Sequence, residues 1–363
     1  MKVSIGSKII NGPWGGGNLF VKNLSNYLSE LGHEVLFDLT DPNIDLILLT
    51  DPRSRKESSS TFNHLDIAKY KKFINPRAKV VQRINECDER KDTSNINLYY
   101  LKASQCADTV VFVSSWLESI YLNLGMQENK TKVILSGSDT NIFKPYNNKN
   151  FSDKKIKIVT HHWSSHFNKG FDIYLLLDKL LEQSNWLNKL EFTYIGNVSQ
   201  EYEFKNTKII QPLDGKELAE ELSKNDIYLT ASKNEPSGNH HIEGALCGLP
   251  ILYLNSGGIP EYCSGYGVAF NGTDDFEFKL NEIIENKEYY LNVLKKYEFN
   301  SNKMNAEYLE LFMRLTKPNN KNQYKLNYFF FYFYLFQFKL SKSTRKVSFT
   351  NLFYKIKKII KNA

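Results

Sequence analysis

The chain predicts an α/β fold of two doubly wound, Rossmann-like parallel-sheet domains facing a central cleft. Three observations predict it. Short β-rich runs alternate with amphipathic helical patterns almost throughout, as βαβ units require. The alternation pauses once, at Gly-Ser-Asp-Thr-Asn-Ile-Phe-Lys-Pro-Tyr-Asn-Asn-Lys-Asn over 137–150, a polar, turn-rich linker, and then resumes. Finally, 363 residues with 41% hydrophobic content suffice for two packed cores. The expected division is a first domain over 1–136, the linker over 137–150 and a second domain over 151–300. A C-terminal helix over 301–320 then crosses back to the first domain, and a basic aromatic tail fills 321–363. The two halves share architecture without an internal sequence repeat.

In the first half, strands are expected at 2–5, 35–37, 45–49, 80–83 and 109–113, with helices at 19–31, 64–73 and 116–124. The second half opens with a strand at 156–160 and a helix at 171–181. Strands follow at 190–195 and 208–210, then a helix at 217–223, a strand at 227–230 and a helix at 239–248. Doubly wound sheets bind ligands outside the carboxyl ends of their strands. Both Gly15–Gly17 and the segment from Glu235 to Gly238 follow strands at that edge.

The net charge of +7 is unevenly spread. Residues 317–363 hold ten lysines, Arg345 and no acidic residue, a local +11 that leaves 1–316 at −4. With a mildly acidic body, the basic overall charge gives no support for a general nucleic-acid binder. Cys87, Cys106, Cys247 and Cys263 form no C-x-x-C pair, so reduced thiols in the cytoplasm are expected. The N-terminus lacks the apolar stretch of a signal peptide.

The densest chemistry lies in Glu235-Pro-Ser-Gly-Asn-His-His-Ile-Glu243-Gly-Ala-Leu-Cys-Gly-Leu-Pro250. Gly238-Asn239 reads as a helix start, since Asn caps well and Gly permits an unusual turn. Glu235 then lies in the entering loop and Glu243 one turn inside the helix, on the side of Asn239. Free N–H groups at a helix start suit a phosphate, and carboxylates suit hydroxyls. A phosphate-linked sugar meets both demands. The alternative is an ordinary capped helix with solvated glutamates.

With its flanks, Gly248-Leu249-Pro250 and Asn255-Ser-Gly-Gly-Ile-Pro-Glu261, this segment resembles glycosyltransferase family 4. Those are retaining nucleotide-sugar enzymes of the GT-B fold, without a metal or cofactor requirement. The resemblance covers about 1–316 and implies that Glu235 contacts the transferred sugar and Glu243 the ribose. It extends to the linker, where Ser136 stands in place of the usual Asn.

Further motifs fit the same family. Pro13-Trp-Gly15-Gly16-Gly17-Asn18 resembles its N-terminal glycine loop, which lies against donor phosphates or acceptor. It is not G-x-G-x-x-G, and no ribose-binding acid follows, so a dinucleotide dehydrogenase is disfavoured. Lys169-Gly170 resembles the family's Lys-Gly, with Lys169 offsetting charge on a departing diphosphate. The usual Gly-Arg-Leu is missing: His161-His-Trp-Ser-Ser-His166 carries no arginine, leaving His162, Ser164 or backbone amides for the second phosphate contact.

His240 joins Gly170, Gly238 and Asn239 on the expected sugar-donor wall. The pairs His161-His162 and His240-His241 lack zinc-ligand spacing, so no metal is expected. Gln82-Arg-Ile-Asn-Glu-Cys-Asp-Glu-Arg90 lacks the family's histidine. Arg83, Asn85 and Asp88, with Asn18, are the candidate acceptor or sugar contacts, a salt-bridged loop being the alternative. Ser114 and Ser115 read as structural.

In the tail, nine of the eleven residues from Tyr328 to Phe338 are aromatic. Further on, Phe349, Leu352, Phe353, Ile356, Ile359 and Ile360 fall on one helical face, and Lys355, Lys357, Lys358 and Lys361 on the other. Such a helix suits an anionic membrane surface, here the inner face of the cytoplasmic membrane; a packed C-terminal helix with a disordered basic end is the alternative. The expected activity is sugar transfer from a nucleotide-diphosphate sugar to a hydroxyl on a glycan or lipid-linked glycan of a bacterial surface. The rivals are a non-catalytic GT-B binding protein and another GT-B enzyme, such as a nucleotide-sugar epimerase.

Overall fold

A computed structural model describes residues 1–10, 12, 15–53, 59–145, 155–317 and 326–344, with side chains of the last segment to Phe338. The first domain runs β1 (Lys2–Ile5), α1 (Gly16–Glu30), β2 (Glu34–Leu36), β3 (Leu46–Leu49), α2 (His64–Phe73), β4 (Lys79–Ile84), α3 (Ile96–Ala103), β5 (Thr109–Phe112), α4 (Ser115–Asn123) and β6 (Thr131–Val133). Its six strands are parallel in the order β2-β1-β3-β4-β5-β6. Helices cover both faces, so β3 (Leu-Ile-Leu-Leu) and β5 (Thr-Val-Val-Phe) are buried along their whole length and read as continuous runs rather than alternations.

The second domain runs β7 (Ile156–His162), α5 (Phe171–Leu180), α6 (Ser184–Leu187), β8 (Leu190–Gly196), β9 (Lys208–Ile210), α7 (Gly215–Ser223), β10 (Ile227–Thr230) and α8 (Asn239–Leu246). It closes with β11 (Ile251–Leu254), α9 (Pro260–Cys263), β12 (Gly267–Phe270), α10 (Thr273–Glu285) and α11 (Lys287–Leu294). This sheet is also parallel, in the order β12-β11-β10-β7-β8-β9. Two such sheets with helices on both faces make the expected two-domain α/β architecture, GT-B.

Strand order fixes where ligands can sit. It reverses between β1 and β3 in the first sheet and between β7 and β10 in the second. The crevice outside the carboxyl ends at such a reversal is the binding position of doubly wound sheets. The chain after β1 leads to Gly15–Gly17, β7 ends at His161-His162, and β10 leads to Glu235.

The glycines after β1 are not wholly a loop. Gly15 is the N-cap of α1, and Gly16 and Gly17 are its first helical residues, so the helix begins three residues before the expected 19. Glycine is tolerated there because the first N–H groups have no intrahelical partner to lose. Asn11, Pro13 and Trp14 lie outside the described residues.

The two passages between the domains run side by side. Ser301 N–H donates to the Ser138 carbonyl at 2.8 Å, and a Cβ on Gly137 would stand 2.1 Å from the Asn300 carbonyl oxygen. Part of the expected linker is core rather than spacer, since Phe143 is buried in the second domain beside Ile142. Residues 146–150 of that linker are outside the described residues.

After the return, α12 (Ser301–Thr316) buries Met304, Tyr308, Leu311 and Phe312 among Val3, Phe20, Leu24 and Val81 of the first domain. Finally α13 (Tyr328–Thr344) lays Tyr334 and Phe338 on the core under α2, with Phe73 and Phe330 stacked at 5.9 Å. Among the described residues no helix is long and apolar enough to cross a membrane. The amphipathic pattern over 349–361 lies outside the described residues.

Candidate active site

The cleft between the sheets holds a cavity of about 500 Å³, lined by α1, the ends of β4 and β7, and the 235–243 segment. Two helix starts meet across it. Gly238 adopts φ +71° to turn the chain into α8, whose N-terminus has no side-chain cap and no acid in its first turn. The N-terminus of α1 is bare in the same way. A Cβ on Gly16 would come within 3.1 Å of the Asn239 side chain, which would have to shift by a few tenths of an ångström, so glycine eases this close approach of the helices. Orphan N–H groups and the positive ends of two helix dipoles therefore share one space, which favours an anion.

The 235–250 segment is built for this position. Gly248 (φ +79°) ends α8 in a Schellman turn, with Leu249 N–H donating to the Gly244 carbonyl and Gly248 N–H to that of Ala245. Gly244 brings α8 against the Tyr228 ring, where a Cβ would stand 2.4 Å away. The Asn255–Glu261 flank clamps the loop before α8: Gly258 N–H donates to the Glu235 carbonyl at 2.9 Å, and Ser256 Oγ accepts from Asn234 N–H. Gly257 (φ +65°) permits that approach, since a Cβ there would lie 2.6 Å from the Glu235 backbone.

Glu235 is 4% exposed and faces two cations. Lys169 Nζ donates to Oε2, and Arg90 Nε stands 3.2 Å from Oε1. Burial alone would raise the Glu235 carboxyl; the Arg90 guanidinium and the Lys169 ammonium overcome that and hold it down at about 2. Burial lowers Lys169, with Glu235 opposing and Arg90 adding to the depression. The two shifts pull opposite ways on one ion pair. The ionic form prevails, because a single carboxylate faces two cations.

Arg90 is the residue that sequence reasoning missed. It comes from the first domain, after β4, and bridges Glu86 of its own loop (3.3 Å) to Glu235 of the other domain. The second domain supplies no Gly-Arg-Leu arginine, and this cation enters the cleft from the opposite wall. The signal available in sequence was the absence itself, next to a first-domain segment already read as facing the cleft.

The four histidines gather where β7 ends beside α8. The rings of His162 and His240 are 4.6 Å apart, and those of His240 and His241 are 4.9 Å apart. Each engaged ring has a fixed partner: His162 Nε2 with Tyr174 Oη at 2.7 Å, His240 Nε2 with Thr230 Oγ1 at 2.8 Å, His161 Nε2 with Glu243 Oε2 at 2.9 Å. Burial first, then neighbouring cations and imidazoles, lowers His162 and His240 far below the usual histidine range. His162 is therefore a neutral wall bound to Tyr174, not a free phosphate contact. Glu243 lines the cleft, its carboxylate also within 3.4 Å of Ser138 Oγ.

Two expected contacts are spent elsewhere. The Asp88 carboxylate accepts from Ile96 and Asn97 N–H and from Thr93 Oγ1 (2.6 Å), so it pins the start of α3 rather than contacting a sugar. Asn18 lines the cleft, but its side-chain amide closes a double hydrogen bond with the Ile10 backbone (2.9 and 2.7 Å) and thereby shapes the glycine segment. Arg83 and Asn85 do line the cavity, as do Gly15–Gly17, Lys169, Gly238, Asn239, His240 and Glu243. Gly170 stands behind Lys169 with φ +101°, where a Cβ would meet Ala231 at 2.4 Å. Ser114 is the N-cap of α4, accepting from Leu117 N–H.

Comparison with known proteins bears on this half of the cleft first. Residues 168–299 match the family model for glycosyl transferases group 1. That stretch carries Lys169, Glu235, Glu243 and the 255–261 flank, all from the second domain. A curated relative, an uncharacterized 41.2 kDa protein in the cps region of Klebsiella pneumoniae, is 26% identical over 209 residues. The match covers 54% of this chain and 56% of that protein, so the chain spans only about half the length of that relative.

Solved structures of the same fold include a glycosyltransferase from Rickettsia africae (TM-score 0.64, 16% identity, 88% of this chain and 99% of that one). Anabaena HepE in complex with UDP-glucose is also similar (TM-score 0.62, 15% identity, 86% and 99%). So is sucrose-phosphate synthase from Thermosynechococcus elongatus (TM-score 0.64, 14% identity, 86% and 98%).

Proposed function

We propose that this chain is a retaining glycosyltransferase of family 4, moving a hexose-type sugar from a nucleotide-diphosphate sugar to a hydroxyl acceptor. One observation carries the reading: two bare helix N-termini face each other across a cleft whose floor holds the buried Lys169–Glu235–Arg90 set. A diphosphate fits between the helices, where fixed N–H dipoles and Lys169 stabilise the charge that develops as it leaves. Two of the lone-pair directions of Glu235 are taken by cations, which leaves it able to accept from sugar hydroxyls. Glu243 would contact the ribose, a role that its position on the cleft wall beside His161 supports. The group 1 family match and the UDP-glucose bound by Anabaena HepE support this assignment of the sugar donor.

In the reaction the bond between the anomeric carbon and the diphosphate oxygen breaks. A bond to the acceptor oxygen forms on the same face, and the acceptor's proton passes to the departing phosphate. No cofactor or metal has a step in this scheme. Domain closure excludes water and limits hydrolysis of the sugar donor.

The acceptor side would be the first domain, at Arg83 and Asn85. A cps-region relative supports a bacterial surface glycan, such as capsule, exopolysaccharide or lipopolysaccharide, as the product. The setting proposed is the cytoplasmic membrane's inner face. On α13, Tyr328, Phe329, Tyr332, Phe333 and Phe336 stand outward, Phe329 being 75% exposed, while the opposite face packs on α2. An interface-seated aromatic row followed by a lysine-rich, acid-free segment fits an anionic bilayer surface.

Nucleotide release from a panel of uridine and guanosine diphosphate sugars, with and without acceptor, tests the reading. Acceptor-dependent release supports transfer. Tight binding of a nucleoside diphosphate without turnover would point to the non-catalytic rival, and release of an isomerised sugar to an epimerase.

A further inference from the structure

Arg83 is a buried cation without a counter-ion among the described residues. On β4 it has the parity of Val81, so its side chain lies on the sheet face covered by α1 and α12. It is 4% exposed, and its guanidinium carbon lies 4.1 Å from the centroid of the Phe20 ring. Its Nε has no hydrogen-bond partner, and no carboxylate pairs with it among the described residues. The buried Tyr308 hydroxyl lies beside it, burial raising the phenol and the guanidinium opposing that rise, and supplies a neutral neighbour rather than a counter-ion. Other arginines of the first domain show the ordinary solution: Arg53 pairs with Asp51 at 2.8 Å, and Arg90 with Glu86 and Glu235. A lone buried guanidinium is costly, and a packed protein normally pairs or removes it.

What Arg83 does face is the cavity, which it lines together with Gly15–Gly17. Phe20, on which it stacks, lies one turn into α1 from Gly16, so the guanidinium and the bare N–H groups of that helix share one side of the cleft. A planar guanidinium beside backbone N–H groups is matched by the oxygens of a phosphate or carboxylate.

We propose that Arg83 and the open N-terminus of α1 form an oxyanion subsite on the first-domain wall, which takes a phosphate or carboxylate carried by a substrate. The transfer reading above only names that substrate; the subsite itself is defined by binding. Two sources supply the same chemistry, the diphosphate of the sugar donor and an anionic group on the acceptor.

The test uses the full chain, as wild type, Arg83→Met and Arg83→Lys. Calorimetric titration with uridine diphosphate reads the first source. Titration with glucose 1-phosphate against methyl glucoside, at saturating uridine diphosphate, reads the second. Arg83→Met is expected to weaken one of these anion affinities at least tenfold, with Arg83→Lys between it and wild type and methyl glucoside unaffected. The arm that moves identifies the source. The ligand-free unfolding midpoint of Arg83→Met should be unchanged or higher, since an unpaired buried charge is lost while the stack on Phe20 is kept. Anion affinities unchanged in both arms overturn the proposal, whatever the midpoint does. Because every readout is binding, a wild-type protein that binds these anions yet transfers nothing would sink the transfer reading and leave the subsite standing.

Discussion

Removing the Glu261 carboxylate should loosen the closed arrangement of the two domains. Glu261 belongs to the second domain, yet it finishes a helix of the first. Its Oε2 accepts from Ser115 N–H at 2.8 Å and its Oε1 from Trp116 N–H at 2.9 Å, while Ser114 Oγ takes Leu117 N–H at 3.2 Å. The N–H groups of Ser115, Trp116 and Leu117 in the first turn of α4 are thus satisfied, two of the three across the domain boundary. Hydrogen bonds to a charged group contribute about 1.5–3 kcal/mol each. Ser115 is exposed and water can replace its bond, so we take about 1–2 kcal/mol for the pair, helix-dipole attraction included. At about 1.4 kcal/mol per tenfold, Glu261→Ala shifts the closed-to-open ratio roughly 5- to 30-fold. Small-angle scattering should show a larger radius of gyration, and kcat/KM should fall by up to that factor. Glu261→Gln, which keeps one acceptor, should lie between. Scattering curves that superimpose, with kcat/KM unchanged within twofold, would refute the reasoning.

Arg90→Gln should move the acid limb of kcat/KM to higher pH. With Arg90 present the Glu235 carboxyl sits at about 2 and stays ionised through the assay range; without it the carboxyl rises, so activity is lost as pH falls toward the ordinary carboxylate range near 4–5. The same depression contributes stability that is present above the unfolded carboxylate pKa and lost as pH falls through about 2. His241 is buried with neither ring nitrogen hydrogen-bonded among the described residues, and burial lowers it to about 3. The unfolded chain therefore takes up its proton first, and His241→Phe should raise stability by about 1–3 kcal/mol, more at pH 5 than at pH 8, in urea titrations. Gly170→Ala, at φ +101° and against Ala231, should lower the unfolding midpoint by several degrees in calorimetry. Replacing Phe329, Phe333 and Phe336 together by Ser should reduce sedimentation with anionic vesicles without changing donor turnover; unchanged sedimentation, or loss of a dimer in solution instead, would contradict membrane docking.

What could be read from sequence was what is local. Glu235, Gly238, Asn239 and Glu243 lie within nine residues, so helix geometry alone put them together. Lys169-Gly170 was legible because a helix start fixes its place. The two-domain architecture followed from the period of the apolar runs and a single break in them. Contacts across the cleft were not legible. Arg90 and Glu235 are 145 residues apart and meet only because the two sheets face each other, and the same holds for Glu261 and α4. Asp88 and Asn18 misled for a physical reason: short polar side chains readily bond nearby backbone, and here each one closes its own loop. The stranded charge of Arg83 is visible only in three dimensions, since being unpaired depends on what every other element presents.

The central claim is that the Lys169–Glu235 floor of the cleft carries sugar transfer. The most direct measurement is acceptor-dependent nucleotide release by wild type, Lys169→Ala and Glu235→Ala, with the best nucleotide sugar of the panel and with folding of each variant checked by circular dichroism. The account predicts turnover in wild type and loss of at least a hundredfold in both folded variants. Wild-type turnover that persists in both would contradict it.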